Sequence, residues 1–282
     1  YFGISASLDM VPYAFIENDR LTATPNIETN YPMVLGEPDK RTRLGPAAPD
    51  FKAEDVLPTL TRRAVEHIAS RAADAQTGRP FFLYVPLNAP HTPILPTREW
   101  QGKSGLNPYA DFVMQTDACI GEILAALDRH NLRDNTLVIV TSDNGCSPQA
   151  NYPQLAAHGH NPSHVYRGTK ADSFEGGHRV PFIVRWPDRV PAGATNGALI
   201  CLVDFMATCA ELLGARLPSN AGEDSVSFLA TMFGRKDAMT RGNLVHHSIN
   251  GSFAIREGRW KLCFCPDSGG WSAPRPGAPA AK

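Results

Sequence analysis

With 282 residues, of which 43% are hydrophobic and 20% charged, the chain is long enough to bury a substantial core and too apolar to be disordered throughout. A formal net charge of -1 supplies no basic field, which argues against nucleic acid or an anionic membrane as partner, and no run of about 18 apolar residues offers a transmembrane segment. The six cysteines contain no C-x-x-C pair of the kind structural zinc sites use. The chain opens Tyr1-Phe2-Gly3 without methionine, so a processed or truncated polypeptide is expected.

In chain order, Ala6 to Tyr13 reads as a short amphipathic start, and prolines and glycines then interrupt Tyr31 to Pro49 every few residues, predicting a surface excursion outside the core. Val56, Leu57, Leu60, Ala64, Val65, Ile68 and Ala72 recur at three- and four-residue steps, which predicts a helix over 55–75 stopped by Gly78. Phe81-Phe82-Leu83-Tyr84-Val85 predicts a buried strand running into Asn88-Ala89-Pro90-His91-Thr92-Pro93. The two prolines restrict the backbone on either side of His91 and make it a positioned residue suited to acid–base or anion-binding work.

A second helix is expected over 108–130, with Phe112, Val113, Ile120, Ile123, Leu124 and Leu127 as its apolar stripe. It feeds Leu137-Val138-Ile139-Val140, read as a buried parallel strand opening into Thr141-Ser142-Asp143-Asn144-Gly145. Helices alternating with strands predict an α/β layered architecture, and such sheets hold ligands at the carboxyl ends of their strands. There Asp143 and Asn144 offer side-chain oxygens to a hard cation such as Ca²⁺ or Mg²⁺. Asp-Asn-Gly is also ordinary turn chemistry.

Beyond that tip, His158, His160 and His164 lack the helical H-x-x-x-H setting of a zinc site and are read as loop decoration or substrate contacts. Arg167 and Lys170 bracket a glycine and can face an anion. The paired glycines of Glu175-Gly176-Gly177-His178 imply close backbone packing that would hold Lys170 near the sheet edge. A strand over 182–187 and a helix over 203–213, with Cys201 and Cys209 as small core residues, complete this part. Ser252 to Leu262 reads as a hairpin. The expected organisation is an α/β domain over 1–216, a small α+β subdomain over 217–272 and an unpacked tail over 273–282.

Together, Ala89-Pro90-His91-Thr92-Pro93, Val140-Thr141-Ser142-Asp143-Asn144-Gly145, Tyr166-Arg167-Gly168-Thr169-Lys170 with Glu175-Gly176-Gly177-His178-Arg179-Val180-Pro181, and Gly258-Arg259-Trp260-Lys261-Leu262 resemble the type I sulfatases of the alkaline phosphatase superfold. The resemblance implies an alkaline-phosphatase-like fold, a mainly parallel sheet between helices with a small C-terminal antiparallel sheet. It implies hydrolysis of a sulfate ester, on a small molecule or glycan, by formylglycine beside a calcium ion, and export to the periplasm or beyond. Carried over, Asp143 and Asn144 correspond to two calcium ligands, His91 and Lys170 to the residues that hold the sulfate and assist the leaving oxygen, and His247 to a substrate-contacting histidine. Arg167 is a further candidate for substrate.

One departure matters. The family's nucleophile is a cysteine with proline or alanine two residues on and arginine four on; Cys146-Ser147-Pro148-Gln149-Ala150 imitates its first half but puts alanine where arginine belongs. The paired aspartates of the family's first strand are missing as well, so the chain reads as a sulfatase lacking its N-terminal part and inactive alone. Two alternatives stand beside this. A phosphate mono- or diesterase of the same superfold would favour histidine where Asn144 stands, because imidazole suits zinc. A non-catalytic remnant would keep the anion pocket without turnover. No oligomeric state is readable from the sequence.

Overall fold

The computed structural model describes residues 1–235 and 240–277, which fall into two compact units. The first comprises residues 1–133 and 147–162, the second residues 134–146 and those from 163 onward.

The first unit begins with a three-stranded antiparallel sheet, β1 (Phe2–Ile4), β2 (Phe15–Glu17) and β3 (Arg20–Leu21), followed by an antiparallel pair of β4 (Ile27–Thr29) with β5 (Gly45–Ala47). No helix forms over 6–13; the segment turns instead, and Tyr13 is drawn inside, its hydroxyl donating to the Arg43 carbonyl and lying 2.7 Å from Thr42 Oγ1. The stretch over 31–49 is likewise not purely superficial. Ala47 and Ala48 are buried with Tyr13, Phe15, Phe51 and Val56, because small side chains let β5 approach this aromatic cluster closely.

Helix α1 (Val56–Gln76) forms as expected, burying Val56, Leu57, Thr61, Ala64, Ile68 and Ala72 on one face. It packs on α2 (Pro108–Arg129), which starts where the Asn107 side chain accepts the Ala110 N–H at 3.0 Å and Pro108 supplies a preset φ. Each Leu57- or Ile68-sized side chain so buried contributes about 1.5–3 kcal/mol. The inward face of α2 is rotated from the expected stripe. Phe112 and Leu127 are buried, but Val113 is exposed, and Asp111, Gln115 and Cys119 face inward. Backbone demand explains this: Asp111 accepts the Gly102 and Ser104 N–H groups at 2.8 Å each, and Gln115 accepts that of Thr97 at 3.0 Å. The short α3 (Tyr152–Ala156) completes the unit.

Residues 81–85 differ from expectation. They form no ladder among the described residues, and their side chains alternate, with Phe82 and Tyr84 exposed and the residues between half-buried. That is the pattern of a strand covered on one face, whereas the run of five apolar residues had pointed to cover on both.

In the second unit, β6 (Val138–Thr141) pairs antiparallel with β7 (Phe182–Arg185), in register from Val138 opposite Arg185 to Thr141 opposite Phe182. Parallel pairing therefore does not involve β6 among the described strands; its partner is the segment returning from the lysine-bearing loop. Between them in sequence lies the one-turn α4 (Glu175–His178). Helix α5 (Phe205–Leu212) and α6 (Leu229–Met232) close a core in which Phe228, Leu229 and Met232 pack with Leu137, Phe182, Val184 and Phe205. Cys201 and Cys209 are only half-buried, since Asp204, between them, takes the fully buried place. Last comes the antiparallel sheet of β8 (Asn243–His247), β9 (Phe253–Glu257) and β10 (Trp260–Cys263), with β9 central. Glu257 opposite Trp260 leaves Gly258 and Arg259 as the two turn residues. Pro274 and Arg275 bond back to Ser268 and Trp271, while the rest of the expected tail, residues 278–282, lies outside the described residues.

Candidate active site

Five of the six candidate residues lie in the second unit. Asp143 and Asn144 follow β6 directly, and two backbone hydrogen bonds seam the chain beside them to the returning loop: Gly145 N–H to the Gly177 carbonyl at 3.0 Å, and Lys170 N–H to the Cys146 carbonyl at 2.8 Å. The glycines make the seam possible. A Cβ on Gly145 would stand 1.7 Å from the Gly176 carbonyl oxygen, and one on Gly176 would stand 2.1 Å from that of Gly168. Three chain segments thus stack backbone on backbone, and Lys170 is held beside the loop that carries Asp143 and Asn144.

Asp143 is exposed and Asn144 half-buried, and the Asp143 carboxylate accepts a long hydrogen bond from Ser142 Oγ at 3.5 Å. Lys170 is half-buried, and its ammonium makes no ion pair among the described residues. A cation and oxygen donors left uncommitted by the protein are what an anion and a metal ion need. Among the described residues no three His, Cys, Asp or Glu side chains are grouped to hold a metal, so Asp143 and Asn144 fit a hard cation in donor type while supplying only part of a shell.

Arg167 is exposed on the same loop, its guanidinium 4.0 Å from the centre of the Phe174 ring, and its carbonyl accepts the Gly176 N–H at 2.7 Å. His247 is exposed on β8, with Nδ1 2.8 Å from the Ser248 carbonyl oxygen. His91 belongs to the first unit. It is half-buried between two cis X-Pro bonds, with Nδ1 2.6 Å from the Thr92 carbonyl oxygen, and the segment that follows is pinned to α2 through Gln115 and Asp111.

Sequence reasoning missed the ionisable cluster behind the seam. Glu175 takes Arg256 Nη1 at 2.7 Å and Lys261 Nζ at 3.1 Å, with Arg179 Nη1 at 3.5 Å. Burial pushes the Glu175 carboxyl up, but the Lys261 hydrogen bond and the charges of Lys261, Arg256 and Arg179 outweigh it and hold it below the ordinary carboxylate range. Beside it the His178 and His246 rings lie 4.0 Å apart. Burial, then the neighbouring His246 and Lys261, depress His178 to about 4, and burial lowers His246 and Lys261 too. His246, not His247, is therefore the inward histidine of β8. The alternation of Leu244 and His246 on one face against Val245 and His247 on the other was the available signal.

Comparison with known proteins matches residues 14–215 to the sulfatase family. The N-acetylgalactosamine-6-O-sulfatase of Bacteroides thetaiotaomicron is 35% identical over 92% of this chain and 56% of its own length. Arylsulfatase A of Bos taurus is 34% identical over 74% of this chain and 40% of its own. A solved structure from work on the metabolism of multiple glycosaminoglycans by Bacteroides thetaiotaomicron superposes with a TM-score of 0.78 at 33% identity, covering 93% of this chain and 60% of that one. These likenesses define an alkaline-phosphatase-like α/β hydrolase fold with a C-terminal antiparallel sheet. The chain belongs to the sulfatase family. It spans about half the length of the curated relatives it matches. Among the described residues no helix is long and apolar enough to cross a membrane.

Proposed function

We propose that this chain carries the sulfate-holding lysine and part of the metal shell of a sulfuric ester hydrolase. The observation that supports this reading most directly is the seam that sets the Lys170 loop against the loop bearing Asp143 and Asn144. Lys170 and His91 are assigned to the sulfate oxygens and to protonating the leaving oxygen, which avoids expelling a bare alkoxide. Asp143 and Asn144 would give two oxygen ligands to one Ca²⁺, an ion that takes six to eight, and when bound the ion neutralises charge on the sulfate. Arg167 and His247, both exposed, are assigned to the substrate beyond its sulfate. The nucleophile is a formylglycine supplied by a full-length parent, since none of the six cysteines here carries the required arginine four residues on. The 282-residue chain alone therefore does not turn over a sulfate ester.

Similarity to an N-acetylgalactosamine-6-O-sulfatase supports a sulfated glycan as substrate, and a periplasmic or secreted parent is the expectation that goes with the family resemblance. The test is hydrolysis of aryl sulfate against aryl phosphate by the full-length parent with calcium or zinc supplied. Sulfate preference with calcium is expected, and Lys170→Ala should lower kcat by about 10²- to 10³-fold, the usual effect of removing one preorganised charge-stabilising donor. Phosphate preference with zinc would overturn the assignment.

A further inference from the structure

Asp172, two residues after Lys170, is wholly buried, and among the described residues neither of its carboxylate oxygens is spent on a side chain. Oδ2 accepts the Thr169 N–H at 2.8 Å, closing the lysine loop on itself. Oδ1 accepts two N–H groups from the far end of the described chain, Trp271 at 2.8 Å and Ser272 at 3.0 Å. The first bond is local, reaching back three residues within the loop. The other two are not local, and they join the lysine loop to a segment about a hundred residues later.

Other contacts reinforce that joint. Ser173 N–H donates to the Ser268 carbonyl at 2.7 Å, and Ile249 N–H to the Ala171 carbonyl at 3.0 Å. A Cβ on Gly270 would come within 2.5 Å of the Ala171 carbonyl oxygen and 2.6 Å of Asp172 Oδ1, so the two segments touch backbone to backbone. Ala171 itself has φ 81, a left-handed conformation that a residue with a Cβ adopts only when its surroundings impose it. Lys170 thus lies between two anchors: its own N–H on the Cys146 carbonyl on one side, and the Asp172 carboxylate on the other.

We propose that Asp172 is a positioning residue, a carboxylate clasp that fastens the segment 268–272 onto the lysine loop and thereby sets where the Lys170 ammonium stands. The proposal rests on the reading of Lys170 as the sulfate-holding cation. Both oxygens are required, because one faces the loop and the other the segment. Asparagine, with a single acceptor oxygen and an N–H₂ in place of the other, must release one side.

The test begins with the 282-residue chain, ¹⁵N-labelled, with its lysines reductively ¹³C-methylated and the Lys170 signal assigned by its loss in Lys170→Arg. In Asp172→Asn the amides of Thr169, Lys170, Trp271 and Ser272 should exchange at least tenfold faster, those of α5 unchanged, and the Lys170 methyl signal should move toward that of a solvated lysine. Should that variant fail to fold, the unsubstituted chain decides: the same four amides must open as one unit, with exchange rates that respond together to urea. Unchanged Lys170 exchange and an unmoved methyl signal in a folded Asp172→Asn, or independent opening of the four amides, would overturn the clasp. In the full-length parent, Asp172→Asn should lower kcat for aryl sulfate at least tenfold with KM within twofold. A Lys170→Ala parent of undiminished turnover would remove the sulfatase role of the lysine and leave the exchange result standing, so the two failures are separable.

Discussion

Replacing Glu175 by glutamine removes one charge from the middle of three cations while keeping the side chain's shape. Arg256, Lys261 and Arg179 sit 2.7, 3.1 and 3.5 Å from the carboxylate, and the side chains of Lys261 and Glu175 are only 12% and 23% exposed. Removing one partner of a buried pair costs about 3–5 kcal/mol, chiefly because the other charge stays buried without compensation. Residual exposure places this cluster at the lower end, about 3 kcal/mol, roughly a hundredfold in the folding equilibrium.

Urea denaturation of Glu175→Gln at pH 7, followed by tryptophan fluorescence and by amide exchange in β9 and β10, reads this loss. A pH series checks its origin. The carboxyl is held below its unfolded value, near 4.3, so its contribution is complete above that pH and is lost as pH falls through the folded value. The gap between wild type and variant should therefore close in acid. A loss below about 0.5 kcal/mol at pH 7, the range of ordinary surface substitutions, would refute the reasoning, as would a gap of the same size at pH 3.

His178 supplies a pH dependence of the same sign in a less acid window. Its folded value of about 4 lies below the ordinary 6.5, so the unfolded chain takes up the proton first and stability is lost as pH falls from 6.5 toward 4; His178→Leu should flatten that limb of the urea midpoint against pH. Gly145→Ala places a methyl inside the Gly176 carbonyl, backbone against backbone, and is expected to destabilise by about 3 kcal/mol or more, with faster exchange at the Lys170 amide. A folded Gly145→Ala variant with an unchanged Lys170 amide would show that the seam does not order the loop.

Much of the local structure was legible in the sequence, because local structure follows from periodicity and caps. The spacing of Val56, Leu57, Ala64, Ile68 and Ala72 specifies α1, Asn107-Pro108 specifies where α2 starts, and Gly176-Gly177 announces the close approach that holds Lys170. The family was legible in the ordered motifs around His91, Asp143, Lys170 and Gly258. Tertiary structure alone decided which faces turn inward. Asp111 and Gln115 take core places on α2 that the apolar stripe had assigned elsewhere, because loop N–H groups need acceptors there. Strand alternation fixed His246 rather than His247 against His178, and only the folded chain brings Trp271 and Ser272 onto Asp172. Such pairings join residues a hundred positions apart by single hydrogen bonds, and no pattern of neighbouring residues encodes a contact of that range.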